Sequence, residues 1–491
     1  MSFHHASLNA RLSPVRISTA PGILQYRNIK FASIPERFAH SELINDWNGA
    51  AIGTETHGPR CPQVPYDLNT LFRIPAAYVS NRQEEESEFE CLNLSVTVPE
   101  GAKAGDNLPV LIWIHGGSFV ATVGSVESGL CDPAKLLCTA IASGLPLVYV
   151  AVNYRLNFLG FTYFDDERCN FGLFDQKHAI EWVHRHIHGF GGDPNNITLG
   201  GESAGAIAAN FHTLSAHSHL LQRVILQSGT ATTVPAQPPA VGATFRTRLM
   251  AALSVSSIGE MRALPAAAIL AGQAAINVHT LFPINSGPFW RSPQNSIWSG
   301  EVLIGDCADE WSLFKTGISA VADPSSIFPD LPASETLLSA YGRDHKGVLR
   351  FTGDAKFHYH TEKYYRGFLE RNPRVWRYIF DAPNPFVPEA GAHHAVDLLY
   401  LFAPASLTPT QEALGEEMRR AWIRFVAGAV PWDKGLDEKV LLLDQQGCRV
   451  VEASEVNRRR NVELWKVLDN LGWDAVAPVV GEVVRGRIRF E

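Results

Sequence analysis

Short, continuous apolar runs rich in β-branched residues recur along this chain, and helical patterns separate them. "LPVLIWIHGG" ends in Gly116 and Gly117, and "LPLVYVAVNYRL" follows. A helix-like "DQKHAIEWVHRHIHGF" comes next, then "NITLGG", the helical "AGAIAANFHTL", and "RVILQSG". Later runs are "EVLIGD" (Glu301 to Asp306) and "RVWRYIFD" (Arg374 to Asp381). A strand that is apolar on both sides needs cover on both faces, so the pattern predicts an α/β fold with a mostly parallel sheet between helices. No internal repeat and no long polar linker divides the 491 residues, which read as one large domain, 1–491, with insertions. Between about 230 and 297 the composition turns to Ala and Pro, with "PAAAILAGQAAINVH" as its helical centre. Lying between two sheet strands, this segment is expected to form a cap-like helical insertion over the ligand crevice.

Composition removes several classes. Hydrophobic residues make up 46% and charged residues 19%, a globular rather than a disordered balance. The net charge of −8 and the lack of a basic stripe argue against nucleic acid as a partner. The longest apolar run, Leu145 to Val152, suits a strand and is far short of the roughly 18 residues a membrane span needs. No charged start followed by an apolar core opens the sequence, which predicts a cytoplasmic location, with secretion the alternative for a chain that has lost a leader. Seven scattered cysteines do not form a disulfide framework or a zinc pattern. His184, His186 and His188 alternate as strand residues would, but on a helix end they splay apart, so no metal is expected there.

Chemistry concentrates around "NNITLGGESAGAIAANFH". A strand, two glycines, Ser203 and a helix start follow one another, a sequence that lifts a serine hydroxyl above the carboxyl end of a sheet. Gly201 and Gly205 flank it because side chains there would collide with the neighbouring strand or helix. The helix start at Ala204 offers N–H groups to an oxyanion forming beside Ser203. "WIHGGSF" supplies a second strand-ending turn, with Gly116, Gly117 and Ser118, that can aim further N–H groups at the same oxyanion. A serine needs a base to take its proton and an acid to orient that base, in the order Ser, acid, His. Downstream, "EVLIGDCADEWSLF" offers Asp306, Asp309 and Glu310, and "PEAGAHHAVDLLYLF" offers His393 and His394. Chain order does not choose within either set.

With these motifs assembled, the chain resembles the type B carboxylesterases, the cholinesterase-like branch of the α/β-hydrolases. The resemblance runs from about Pro21 to Trp465. It is carried by "HGGSF", "VNYRLNFLGF", "NFGLFDQKHAIEWVHRHIHGFGGDPNNITLGGESAGA", "ILQSG", "LIGDCADEWSLF", "GAHHAVDLLYLF" and "MRRAWIRFVAGAVPW". It implies that Ser203 is the nucleophile, Glu310 the acid and His394 the base. The oxyanion donors fall on Gly117, Ser118 and Ala204, with Gly116 shaping the turn, and Glu202 and Ser228 support the triad. The family's first disulfide would join Cys61 to Cys91, or, without a signal peptide, both would stand as buried thiols, and Arg155 would pair with Asp175. Three departures stand out. Ser118 replaces a third glycine, Trp311 replaces the glycine after the acid, and Phe89 stands where the usual glutamate partner of Arg37 would be.

The resemblance implies a serine carboxylic-ester hydrolase working through an acyl-enzyme on a small-molecule ester, with no metal or organic cofactor. Phe289, Trp290 and Trp311 are expected to wall the acyl site, favouring a neutral, largely apolar ester. Competing readings keep the triad for acyl transfer or natural-product tailoring, or drop catalysis for a cholinesterase-like binding role.

Overall fold

The computed structural model describes residues 2–65, 67, 71–75, 84–290, 297–435 and 438–487. Residues 291–296, within the expected insertion, lie outside these. The centre is a sheet of eleven strands: β1 (Val15–Arg16), β2 (Ile23–Lys30), β3 (Asn93–Pro99), β4 (Leu108–Ile114), β5 (Val148–Val152), β6 (Gly192–Glu202), β7 (Arg223–Gln227), β8 (Glu301–Cys307), β9 (Val375–Phe380), β10 (Val440–Asp444) and β11 (Gly447–Val451). Their spatial order is β11-β10-β9-β8-β7-β6-β4-β5-β3-β2-β1. From β5 to β10 all neighbours are parallel, and antiparallel strands extend both edges.

The apolar runs alternate sides as a pleated strand requires. Ile112, Ile114, Val224, Leu226, Val302 and Ile304 face one core, shared with Ile180, Val183 and Ile207 on the Phe171–His186 and Ala204–Thr213 helices. Leu111, Trp113, Ile225 and Leu303 face a second core with Leu137 and Trp422, on the Ala134–Ala142 and Pro409–Val426 helices. Burying both faces makes the fold the α/β-hydrolase arrangement that the sequence predicts. After β4 the chain adds β5 on one side of it and β6 on the other. The carboxyl end of β4 is therefore a switch point, where such sheets open a crevice.

Between β7 and β8 the chain leaves the sheet and forms the Pro239–Leu253, Ile258–Ala263 and Ala266–Ala275 helices. Ser257 caps the second by accepting from Glu260 N. A buried ion pair fastens this segment. Arg37 Nε and Nη2 each lie 2.6 Å from a Glu88 carboxylate oxygen, and Nη1 donates to the carbonyls of Met261 and Arg262 at 3.0 and 3.2 Å. The partner of Arg37 is thus shifted by one residue, leaving Phe89 exposed. Arg155 and Asp175 form the bidentate pair that the resemblance implies, with both bonds at 2.8 Å.

Of the two alternatives for Cys61 and Cys91, the structure has the second, and both residues are buried free thiols. Each sulfur has a separate backbone partner. Cys61 Sγ accepts from Leu156 N at 3.3 Å, and Cys91 Sγ donates to Glu88 O at 3.4 Å. A hydrogen bond with the Cys61 thiol, together with burial, pushes the Cys91 thiol well above its ordinary range. Among the described residues, no helix is long and apolar enough to cross a membrane.

Candidate active site

Ser203 joins β6 to the Ala204–Thr213 helix with φ 55° and ψ −123°, outside the regions ordinary residues prefer. Its surroundings hold it there. Ser203 N donates to Gln227 O of β7 at 2.8 Å, and Ser203 O accepts from Ile207 N of the helix at 2.9 Å. A Cβ at Gly201 would sit 2.5 Å from Gly205 C, and one at Gly205 only 2.0 Å from Ile114 O. The two glycines are therefore required by close approach of strand and helix, and a strained serine results.

The downstream candidates separate by their partners. Asp306 is committed elsewhere, accepting from Arg460 Nε at 2.6 Å. Asp309 fastens the histidine loop, with Ala392 N donating to its carboxylate at 2.9 Å. Glu310 is fully buried. Its Oε1 accepts from Ser228 Oγ at 2.6 Å and Cys307 N at 2.8 Å, and its Oε2 meets His394 Nδ1. Of the two histidines, His393 has both nitrogens engaged. Its Nδ1 donates to His394 O at 2.8 Å and its Nε2 accepts from Asn384 Nδ2 at 2.9 Å. Only His394 reaches Glu310. His394 N also donates to Ser312 Oγ at 3.1 Å, which fixes the ring's start point.

The other nitrogen of His394 faces the residue before the serine: Nε2 lies 3.0 Å from Glu202 Oε1. Asp397 lies deeper, accepting from Gln227 Nε2 at 2.7 Å and Tyr378 OH at 3.0 Å. Burial alone would make His394 a weaker base, but Glu202 and Glu310 outweigh it and push the imidazole up to about 9. Burial pushes the Glu202 carboxyl up to about 8, partly offset by His394. Burial also opposes the charge on Glu310, yet His394 and its hydrogen bonds hold that carboxyl below the ordinary range. Glu310 is thus ionised throughout the neutral range, and Glu202 joins it as an anion as pH rises through about 8.

The second turn packs directly against the first. A Cβ at Gly116 would lie 2.9 Å from Glu202 O and 3.3 Å from Ser203 Cβ. Gly117, at φ +112°, has no room for a side chain either, because Ala121 O would lie 2.0 Å away. Val120 N and Ala121 N donate to Gly117 O, and Val123 N donates to Gly116 O. Ser118 follows at φ 55°, and its carbonyl accepts from Leu281 N of the insertion.

Comparison with known proteins gives the chain a family. A model described as the carboxylesterase family matches residues 13–314. Lipase 3 of Yarrowia lipolytica is 30% identical, with 96% of this chain and 97% of the relative covered. The chain belongs to the carboxylesterase family. Another relative, the para-nitrobenzyl esterase of Bacillus subtilis, is 28% identical over 90% of this chain and 95% of its own. Among solved structures, juvenile hormone esterase from Manduca sexta superposes with a TM-score of 0.76 over 94% of this chain and 98% of its own. At 22% identity, that likeness speaks for the fold alone.

In this carboxylesterase, Ser203, Ala204 and Ser118 line a cavity of about 560 Å³. Its apolar walls include Phe119, Phe245, Phe282 and Phe357, and Val234, Val241 and Val278 come from the 230–297 segment. The three aromatics expected at this wall lie elsewhere. Phe289 is in the core, edge-on to His212, His217 and Trp290, and the indole N–H of Trp290 donates to Ile284 O at 2.8 Å. Trp311 lines a neighbouring recess of about 230 Å³ with Arg73, Lys315, His393 and His394, and does not line the Ser203 cavity. A buried aromatic in a sequence carries no sign of whether it faces a core or a cavity, and here the core takes two of them.

Phe357 escaped the sequence reading. Its ring centroid lies 4.7 Å from that of His394, on a single π-helical turn, Asp354–His358, between the His345–Gly353 and Tyr359–Leu369 helices. An extra residue in a helical pattern leaves no distinctive composition. The neighbouring "HYH" gave no signal that this turn faces Ser203.

Proposed function

We propose that the protein hydrolyses a carboxylic ester with a sizeable apolar portion through an acyl-enzyme on Ser203. The observation that carries this reading is the Glu310–His394 pair set against Glu202, the neighbour of a strained Ser203 that opens onto the cavity.

Ser203 Oγ attacks the ester carbonyl carbon, and its proton passes to His394 Nε2. Glu310 holds the Nδ1 proton, fixing the tautomer and stabilising the imidazolium that forms. The carbonyl oxygen becomes an oxyanion that the N–H groups of Gly117, Ser118 and Ala204 receive. The carbon–oxygen ester bond then breaks, and His394 returns the proton to the departing alcohol. Water repeats the cycle on the acyl-serine and releases the acid. No step calls for a metal or organic cofactor. In the structure His394 Nε2 lies 3.0 Å from Glu202 Oε1, on the side of the residue that precedes Ser203. The 230–297 segment acts as the cap of a single catalytic domain, because its side chains close the apolar walls.

Apolar walls from Phe119, Phe245 and Phe282 support the apolar part of the substrate. The deciding experiment pairs turnover of an ester panel with intact-mass detection of an acyl or phosphonyl adduct. Ser203→Ala should lose the adduct and several orders of magnitude in rate. Near-normal turnover by Ser203→Ala would overturn the assignment.

A further inference from the structure

One wall of the Ser203 cavity breaks the apolar pattern. Lys356, on the π-helical turn and next to Phe357, lines the cavity and is half-buried. Its ammonium donates one hydrogen bond, to Thr233 O at 3.0 Å, and two of its three N–H donors remain. Among the described residues no Asp or Glu lines the cavity, and the other cations there are Arg248 and Arg485. Arg248 is exposed, donates one N–H to Ile276 O at 2.9 Å and stands over the Phe245 ring, so water solvates its charge, while Arg485 has a carboxylate partner in Glu482 at 2.7 Å. Lys356 has no such charge partner among the described residues. Its titratable neighbour His360 is kept neutral by burial and by the ammonium itself.

A cation partly withdrawn from water without a counter-ion carries a cost, and burial lowers Lys356 to about 8. Were Lys356 present only to tie the turn to Thr233, a neutral donor would serve at less cost. An anion from outside the chain would remove that cost while the cavity is occupied.

We propose that Lys356 anchors a carboxylate that the substrate carries apart from its scissile ester. The natural substrate is then an apolar ester with an acidic end, its ester group at Ser203 and its carboxylate at Lys356. This rests on the reading of Ser203 as the nucleophile. It also replaces the neutral preference expected from Phe289, Trp290 and Trp311, none of which lines the cavity.

The test uses the whole protein and two matched ester pairs. 4-Nitrophenyl hexanoate is set against the mono-4-nitrophenyl ester of adipic acid. Phenyl acetate is set against 4-carboxyphenyl acetate. In the wild type, kcat/KM should favour the acidic member of at least one pair. Lys356→Met should lower that preference about 10- to 100-fold, the scale of a hydrogen bond to a charged group, while Lys356→Arg keeps most of it. Melting curves of both variants separate this from loss of fold, and the wild-type preference stands as a measurement without any variant. Ser203-dependent turnover that favours the neutral member of both pairs would overturn the anchor alone. So would a preference that Lys356→Met leaves unmoved. Turnover of both members that persists in Ser203→Ala would sink the reading of the site, and the anchor with it.

Discussion

His394 Nε2 lies 3.0 Å from Glu202 Oε1, so the nitrogen that would take the serine proton rests against the carboxylate preceding that serine. Each group acts on the other's charge, and both are shifted upward.

The base works only when neutral, and a neighbouring carboxylate favours its charged form. The kcat/KM of a neutral ester should therefore climb through an apparent value above the 6.5 of a free imidazole, toward about 9. Removing the Glu202 charge by Glu202→Gln takes away one of the two groups that raise it. The rising limb should then move down by about one pH unit or more. A pH–rate profile of both proteins checks this, and a limb that stays in place would show that Glu202 does not set it.

Two glycines make opposite demands. Gly205→Ala would put a methyl group 2.0 Å from Ile114 O, a backbone atom that cannot step aside. The expected outcome is a loss of at least about 3 kcal/mol, or no soluble protein, because the strand and helix must part. Gly259 lies in the Ile258–Ala263 helix and has only Ser257 Oγ nearby, at 3.9 Å. Gly259→Ala should raise the melting temperature slightly, by about 0.5 kcal/mol of stability, through the unfolded chain's lost freedom. Thermal melts of the two variants measured together settle the contrast.

Arg37 and Glu88 are both buried, with fractional exposures of 7% and 8% at their side chains. Truncating one leaves an uncompensated buried charge, which costs about 3–5 kcal/mol. Arg37→Met and Glu88→Met should each destabilise strongly, and the double variant should be less damaged than the sum of the two. A denaturant-melt double-mutant cycle measures that coupling, and simple additivity would contradict the pairing.

Much of this was legible because the signals were local. "ITLGGESAG" contains a strand, its turn and its helix within one short stretch, so Ser203 could be placed on an elbow without knowing the fold. The parallel sheet was legible for a related reason, since Leu111 to Ile114 must be covered on both faces. Choosing His394 over His393 was different. Residues alone left it open, and the structural distinction depends on Asn384, which occupies the second nitrogen of His393. Lys356 and Phe357 were invisible because the π-helical turn that aims them at the cavity has no spacing rule in the chain. Phe289 and Trp290 looked like cavity aromatics because size and apolarity serve a core and a pocket equally.

The excursion of about seventy residues between β7 and β8 starts and finishes at adjacent, parallel strands. Its length can therefore change without disturbing the pairing register of the sheet. Ser203 and Glu310 follow the ends of β6 and β8, and His394 sits in a loop beyond β9, while much of the chamber wall hangs from this detour. Mutation can thus explore new clientele on one stretch of chain while the bond-breaking apparatus stays untouched on another.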